Sequence, residues 1–221
     1  MQLAAVVKAR TLAMFEIDEL NLGGKLRLYD CIAPIVDKFE FLVFPSKLED
    51  FDLEKGVKFQ SGKLAEVVIS ELMIYSGAVY VETLSSTGDS KKVLLEILSW
   101  GKSKLGFTYR EEMIRQWAYI SQLVFSTDVP ILEKMSTPVE KLAEKTSAFM
   151  EDLFGLKYEP TTLTIGHDPV KRNHGIAGLN IQRRANAEFS KNKYYSEAPM
   201  PTSLHLKLLE EFEADVLAAM K

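Results

Sequence analysis

Residues 66–105 read EVVISELMIYSGAVYVETLSSTGDSKKVLLEILSWGKSKL, and they contain the clearest change of sequence pattern in the chain. Up to Leu84, β-branched and aromatic residues predict two strands, which the pair Ser76-Gly77 joins in a tight turn. After Asp89 the apolar residues recur at helical spacing. They are Val93, Leu94, Ile97, Leu98, Gly101 and Leu105. The pattern therefore predicts a β-hairpin that leads into an amphipathic helix packed on a sheet.

The residues before this hairpin predict a strand, a helix and two short strands. Apolar residues alternate along residues 2–17, as in a strand with one buried face. Residues 28–39 carry apolar side chains at the spacing of a helix. The short apolar run 41–44 and residues 57–60 are expected to be strands. The acidic segment 46–56 is expected to be a solvated loop, and an acidic interaction site is the alternative.

The residues after the hairpin predict similar elements in a similar order. Residues 114–126 are rich in aromatic and β-branched residues, which favour a strand. Thr137, Pro138 and Glu140 combine an N-cap, a proline at the first helical position and a capping box, so a helix is expected to begin there. The remaining elements are expected at 161–167 and 176–190 (a second hairpin), 194–203 (a polar link) and 204–220 (a final helix).

These elements predict an α+β protein with a curved, mostly antiparallel sheet and helices packed on one face. In such a protein the apolar stripe of each helix is buried against one face of the sheet. We expect one domain over residues 1–221, with two similar halves, 1–109 and 110–221, as a further interpretation. The element order resembles that of TATA-binding-protein-like domains and of the helix-grip fold. This resemblance concerns element order alone, and a shared fold does not imply a shared function.

The composition indicates an ordinary globular protein, because 47% of the residues are hydrophobic, 26% are charged and the net charge is -4. Proteins that coat nucleic acid carry an excess of Lys and Arg, so nucleic acid is not an expected partner. The single cysteine, Cys31, excludes an intramolecular disulfide and favours a reducing compartment. The sequence offers no window of roughly 18 apolar residues that would span a membrane, and the N-terminus lacks the pattern of a cleaved leader. We therefore expect a cytoplasmic protein without a cofactor.

The loop of the second hairpin is the leading candidate binding site. His167, Lys171, Arg172 and His174 place cationic and hydrogen-bonding groups between two strands. Such groups are typical of a site for phosphate or for an acidic protein surface. A solvated turn that is polar for solubility is the alternative interpretation.

Arg183 is a second candidate, because strand alternation predicts that it points inward. It shares its parity with Leu179 and Ile181, so its side chain is expected on the apolar side of the sheet. A buried guanidinium is unfavourable without a carboxylate, a carbonyl or an anionic ligand as its partner. We expect an internal salt bridge, and an anionic ligand is the alternative. Arg184 is expected to point outward and to extend the basic patch of the loop.

The sequence contains no familiar catalytic or metal-binding motif. His167, Asp168 and His174 are residue types that bind zinc or manganese, but their spacing matches no established site. His205 is the remaining histidine, and we expect no metal. Nor does the sequence contain a nucleophile elbow, a glycine-rich phosphate loop or a His-Glu-x-x-His helix.

These observations predict a non-catalytic binding or assembly protein. The second hairpin is expected to engage a protein partner or an anionic ligand. The long strands favour a homo-oligomer, since exposed strand edges are usually covered. Two alternatives stay open. One is an enzyme that acts on a phosphate-bearing substrate, with Arg183, His167 and His174 at its centre, and the other is a pocket for an apolar ligand beneath the final helix.

Overall fold

The structure is a computed structural model that describes residues 1–154, 157–168 and 177–220, with the backbone alone for residues 149–154. The chain divides into two compact units, each named for its larger part. The N-terminal unit comprises Val6–Ser121 and Met200–Thr202. The C-terminal unit comprises Met1–Ala5, Gln122–Pro199 and Ser203–Lys221.

The described residues contain eight strands and four α-helices. The strands are β1 (Gln2–Met14), β2 (Val57–Leu64), β3 (Val67–Ile74), β4 (Ala78–Thr83), β5 (Gln116–Ser126), β6 (Thr162–Ile165), β7 (Leu179–Arg183) and β8 (Lys193–Ala198). The helices are α1 (Leu28–Phe39), α2 (Thr87–Lys104), α3 (Thr137–Phe154) and α4 (Thr202–Ala219). The strands are antiparallel in the order β2-β3-β4-β1-β5-β8-β7-β6, and their curved sheet does not close. The predicted α+β class with a curved antiparallel sheet is therefore confirmed.

The hairpin of β3 and β4 and the helix that follows it form as predicted. The side chain of Ser86 accepts a hydrogen bond from the backbone N–H of Asp89 at 3.0 Å and so caps α2. Because of this cap, α2 begins at Thr87, before the first residue of the apolar stripe. Ser90 Oγ donates to the backbone carbonyl of Ala9 at 2.6 Å, which ties the first turn of α2 to β1.

The apolar faces of α1 and α2 form one core with the strands of the N-terminal unit. Buried residues alternate along β1, where Ala9, Thr11 and Ala13 are closed off from solvent. Gly101 of α2 is required by close packing, since a Cβ atom there would lie 2.2 Å from the ring of Phe107. This core fixes the positions of both helices on the sheet. No helix of the described residues is long and apolar enough to cross a membrane.

Some of the predicted strands of the N-terminal unit differ from those observed; the strand predicted at 57–60 extends to Leu64 as β2. β1 ends at Met14, beyond which the Ile17 N–H donates to the carbonyl of Ser76 in the β3–β4 turn at 2.8 Å. The run 41–44 was predicted to be a strand, and this prediction is wrong. The run forms an isolated bridge between Val43 and Gln60 of β2.

The second hairpin forms, but its second strand is shorter than predicted. β6 pairs with β7 over four residue pairs. β7 ends at Arg183, and three residues later Asn186 turns the chain with a left-handed φ of 62°. The predicted polar link instead contains β8, whose alternate residues Tyr194, Ser196 and Ala198 are buried.

α3 begins at Thr137, where the capping signals predict a helix N-terminus. The two units do not coincide with the predicted halves. Their boundary in β5 falls between Ser121 and Gln122, whereas the predicted halves meet after residue 109. A single domain with two similar halves stays a prediction.

Candidate functional site

Arg183 lies at the end of β7 with its side chain only 4% exposed. Its Nη2 donates to Glu133 Oε1 at 2.5 Å and to Glu159 Oε2 at 3.3 Å. Its Nη1 donates to the backbone carbonyl of Phe189 at 2.8 Å, and the guanidinium carbon lies 4.5 Å from the centroid of the Phe189 ring. The predicted inward orientation and the predicted internal salt bridge are confirmed.

The two carboxylates around Arg183 have pKa values shifted in opposite directions. Burial raises the pKa of Glu133, and the hydrogen bond and charge of Glu159 raise it further, against the opposing effect of Arg183. Burial also acts to raise the pKa of Glu159, but its bonds to Lys157 and Glu133 and the charge of Arg183 lower that pKa overall. Lys157 Nζ lies 2.7 Å from Glu159 Oε1. Glu133 is therefore the member of the pair that takes up a proton first as the pH falls.

The Arg183 cluster holds three separate segments of the C-terminal unit together. Glu133 follows β5, Glu159 precedes β6 and Phe189 follows β7. The guanidinium of Arg183 thus connects three segments that are far apart in sequence. This is a structural role. Both Nη atoms bond protein groups, and the predicted part of Arg183 in ligand binding stays a prediction.

Two of the other predicted site residues, His167 and Arg184, lie beside the ends of the hairpin strands. His167 is exposed after β6, and Arg184 is exposed directly after β7, as predicted. Lys171, Arg172 and His174 lie outside the described residues. The basic loop, and the phosphate-acting site proposed on it, therefore stay predictions.

An acidic cleft of about 370 Å³ lies between α3 and the segment before β6. The Tyr158 N–H donates to Ser147 Oγ of α3 at 2.7 Å and holds that segment in place. The charged residues that line the cleft are Glu133, Glu140, Glu144, Lys157 and Glu159. Within the described residues, no group of three or more His, Cys, Asp or Glu is arranged to hold a metal ion. Grouped carboxylates are also typical of a solvated surface, so the cleft by itself assigns no ligand.

His205 of α4 is fully buried beside a buried serine of β8. Its Nε2 lies 2.8 Å from Ser196 Oγ, which in turn donates to the carbonyl of Asn180 at 2.7 Å. Burial lowers the pKa of His205 to about 4. Because both side chains are closed off from solvent, this serine and histidine position α4 on the sheet and are out of reach of a substrate.

Sequence reasoning missed an exposed apolar segment of the N-terminal unit. Leu42, Val43, Phe44 and Leu48 are 78%, 52%, 43% and 93% exposed, and these four residues are called the apolar edge below. Val43 exchanges two backbone hydrogen bonds with Gln60 of β2, at 3.2 and 2.8 Å. Because β2 is the first strand in the sheet order, the apolar edge runs along the outside of the sheet.

The signal for the apolar edge was present in the sequence but ambiguous. Four consecutive apolar residues, 41–44, are typical of a strand buried on both faces. A segment beside an edge strand buries only part of such a run, and here Phe41 and Pro45 are buried while the residues between them are exposed. The position of these apolar residues, directly before a proline and an acidic loop, was the available indication that the run lies at an edge of the sheet.

A negatively charged loop follows the apolar edge. Residues 46–55 contain four carboxylates and two lysines. Asp50 accepts the backbone N–H groups of Lys47 and Ser46, each at 2.9 Å, and these bonds lower its pKa. Lys55 pairs with Asp52 at 3.0 Å. The loop therefore keeps a net negative charge beside an apolar surface.

Comparison with known proteins adds no functional information. No family model matches this chain. No curated protein matches it either. The function is therefore inferred from the surfaces of the protein alone.

Proposed function

We propose that this is a non-catalytic binding protein that engages a protein partner through the apolar edge. The observation that supports the proposal is the exposure of four large apolar side chains within residues 42–48. Single exposed apolar side chains are ordinary, whereas contiguous ones mark interaction sites. Burial against a partner favours association by about 25 cal/mol per Å² of apolar area.

The backbone of the apolar edge is suited to pairing with an extended segment of a partner. Backbone groups in an antiparallel ladder alternate in direction. Val43 directs its N–H and C=O to Gln60, and the Leu42 N–H bonds the carbonyl of Ser61 at 3.3 Å, so within this run we expect the backbone groups of Phe44 to point away from β2. A partner strand would bond there and place alternate side chains against the apolar edge, as in strand addition.

The charge of the neighbouring loop favours a basic partner. Four carboxylates and two lysines in residues 46–55 leave an excess of negative charge next to Leu48. Complementary charges at the rim of an interface steer association and set its specificity. The partner segment that we propose therefore combines apolar residues with Lys or Arg, and its binding weakens as salt is added.

The second hairpin supports a second candidate surface. β6 is the last strand in the sheet order, and β7 is its neighbour among the described strands. Ile165 of β6 and Arg184 are both exposed. This is the surface that the sequence predicts for a protein partner or an anionic ligand. A second copy of the chain is the alternative occupant of either surface.

Site-specific photo-crosslinking tests the proposal. A photoreactive benzoylphenylalanine replaces Leu42 in the full chain, produced in the cells that naturally make the protein. The matched control carries the same group at Leu142, a leucine of α3 that is also highly exposed. Mass spectrometry then identifies the crosslinked partner peptide.

The proposal expects position 42 to crosslink to one extended partner segment that contains apolar and basic residues, with little product from position 142. Equal products at the two positions, or none at position 42, would overturn the proposal. Crosslinks from position 42 to another copy of the chain would replace the partner with self-assembly.

A further inference from the structure

We infer that the N-terminal unit contains a binding site for a small, largely apolar molecule that carries one hydrogen-bond donor. A cavity of about 190 Å³ lies among α1, α2 and the strands. Protein interiors are close-packed, and few voids exceed the size of a water molecule. An apolar cavity of about 150 Å³ elsewhere stays dry and binds benzene. The cavity in this protein is therefore large enough for an aromatic ring system or a short alkyl chain.

The lining of the cavity is apolar apart from Asp18 and Asn21. α1 contributes Cys31 and Ile35 to the lining, and β4 contributes Val79. All three are buried, and Cys31 and Val79 have the shortest apolar side chains in the lining. The cavity therefore lies within the core of this unit. This position is beneath α1 and α2, not beneath the final helix where the sequence predicted a pocket.

The two polar residues define one polar side of the cavity. Asn21 is already engaged, since its Nδ2 donates to the carbonyl of Leu26 at 2.8 Å and its Oδ1 accepts the Leu26 N–H at 3.0 Å. Asp18 is exposed and is the charged residue of the lining. A carboxylate accepts hydrogen bonds and donates none. It therefore favours a ligand with a hydroxyl or N–H group and disfavours an anionic one.

The segment between the short 3-10 helix Ile17–Asn21 and α1 provides a route of entry on the same side. Leu26 of this segment lines the cavity. Gly24 has a φ of 60°, a left-handed conformation that glycine adopts without strain. The two hydrogen bonds of Asn21 close this segment on itself. The cavity is already partly open to solvent, so a small molecule can enter while both helices stay intact.

Indole and benzene are suitable probes, because both are small aromatic molecules and only indole has an N–H donor. Calorimetry measures the binding of each probe to the whole chain. A second readout is the rate at which Cys31, the single cysteine, reacts with a small thiol reagent. We expect one indole per chain and labelling slowed by about tenfold at saturation.

Matched variants locate the site. Val79→Phe places a ring in the cavity and is expected to weaken indole binding by about tenfold or more. Val68→Phe makes the same change at an exposed valine of β3 and is expected to leave binding unchanged. Asp18→Ala, at an exposed position, is expected to weaken indole binding by about threefold and to leave benzene binding unchanged.

Absence of indole binding to the unmodified chain, or equal binding to Val79→Phe and Val68→Phe, would overturn the site. An equal effect of Asp18→Ala on indole binding and on benzene binding would overturn the need for a donor. If Val79→Phe does not fold, Asp18→Ala decides. Failure of saturating indole to slow the labelling of Cys31 in that variant would overturn the site.

Discussion

Replacement of Arg183 by methionine tests the buried ion cluster of the C-terminal unit. Methionine keeps the apolar stem but removes the guanidinium that bonds Glu133, Glu159 and the carbonyl of Phe189. Removal of one member of a buried ion pair costs about 3–5 kcal/mol, because the remaining charge is left uncompensated. The carboxylates are partly solvated, with side chains 27% and 16% exposed. We therefore expect a loss of unfolding free energy at the lower end, about 3 kcal/mol.

The loss should depend on pH, because the variant leaves two carboxylates facing each other. A carboxyl group with a raised folded-state pKa stabilises the fold at low pH, and this contribution is lost as the pH rises through that pKa. The pKa of Glu133 is already raised, and removal of Arg183 is expected to raise it further. Each added pKa unit corresponds to about 1.4 kcal/mol. The loss of stability in Arg183→Met should therefore be largest at about pH 7 and shrink toward about pH 5.

Urea unfolding followed by circular dichroism measures this loss across the pH range. Arg184→Met is the matched control, because it makes the same change at the exposed neighbouring position and should cost less than about 0.5 kcal/mol. Glu133→Gln combined with Arg183→Met should remove the pH dependence of the deficit. A deficit below about 1 kcal/mol at neutral pH, or one that does not change with pH, would refute the ion-cluster argument.

Three further predictions concern the cavity, the buried histidine and the apolar edge. Val79→Leu places a larger side chain in the cavity and should change the free energy of unfolding by less than about 1 kcal/mol. Val81→Leu makes the same change at a packed site of the same strand and should cost about 1–3 kcal/mol in urea unfolding. Equal losses in the two variants would contradict an unfilled cavity. Burial lowers the pKa of His205 from 6.5 to about 4, so its contribution is present above pH 6.5 and is lost toward pH 4. The loss of stability should approach about 3 kcal/mol. The melting temperature of His205→Phe should therefore fall less between pH 6.5 and pH 4 than that of the unmodified chain. Equal falls in the two proteins would contradict the prediction. Leu42→Asp and Leu48→Asp should each change stability by less than about 0.5 kcal/mol, because both side chains are exposed; a larger loss in thermal unfolding would mean that they pack within the chain.

Local patterns predicted much of the fold. The hairpin of β3 and β4, the stripe of α2 and the start of α3 follow from residue spacing and capping, which act between near neighbours in sequence. β8 was missed because its buried alternation consists of Tyr194, Ser196 and Ala198, which does not stand out as apolar. The left-handed residue Asn186 and a 3-10 helix at Phe189–Lys191 interrupt what was predicted as one strand over residues 176–190.

The candidate site shows the same division between local and distant information. Parity along β7 correctly predicted that Arg183 points inward. Its partners Glu133 and Glu159 lie 50 and 24 residues away in sequence, so local spacing did not identify them. The exposure of the apolar edge likewise depends on β2 being the first strand of the sheet, a property of the whole topology.

The affinity of the crosslinked partner segment for variants of the apolar edge tests the proposed function most directly. Full burial of one leucine side chain is worth about 1.5–3 kcal/mol. Leu42→Asp combined with Leu48→Asp should therefore weaken binding by about 100-fold or more, while Leu142→Asp should leave it unchanged. Affinities within about twofold for the double variant and the unmodified chain would contradict the proposal that the protein binds its partner through this edge.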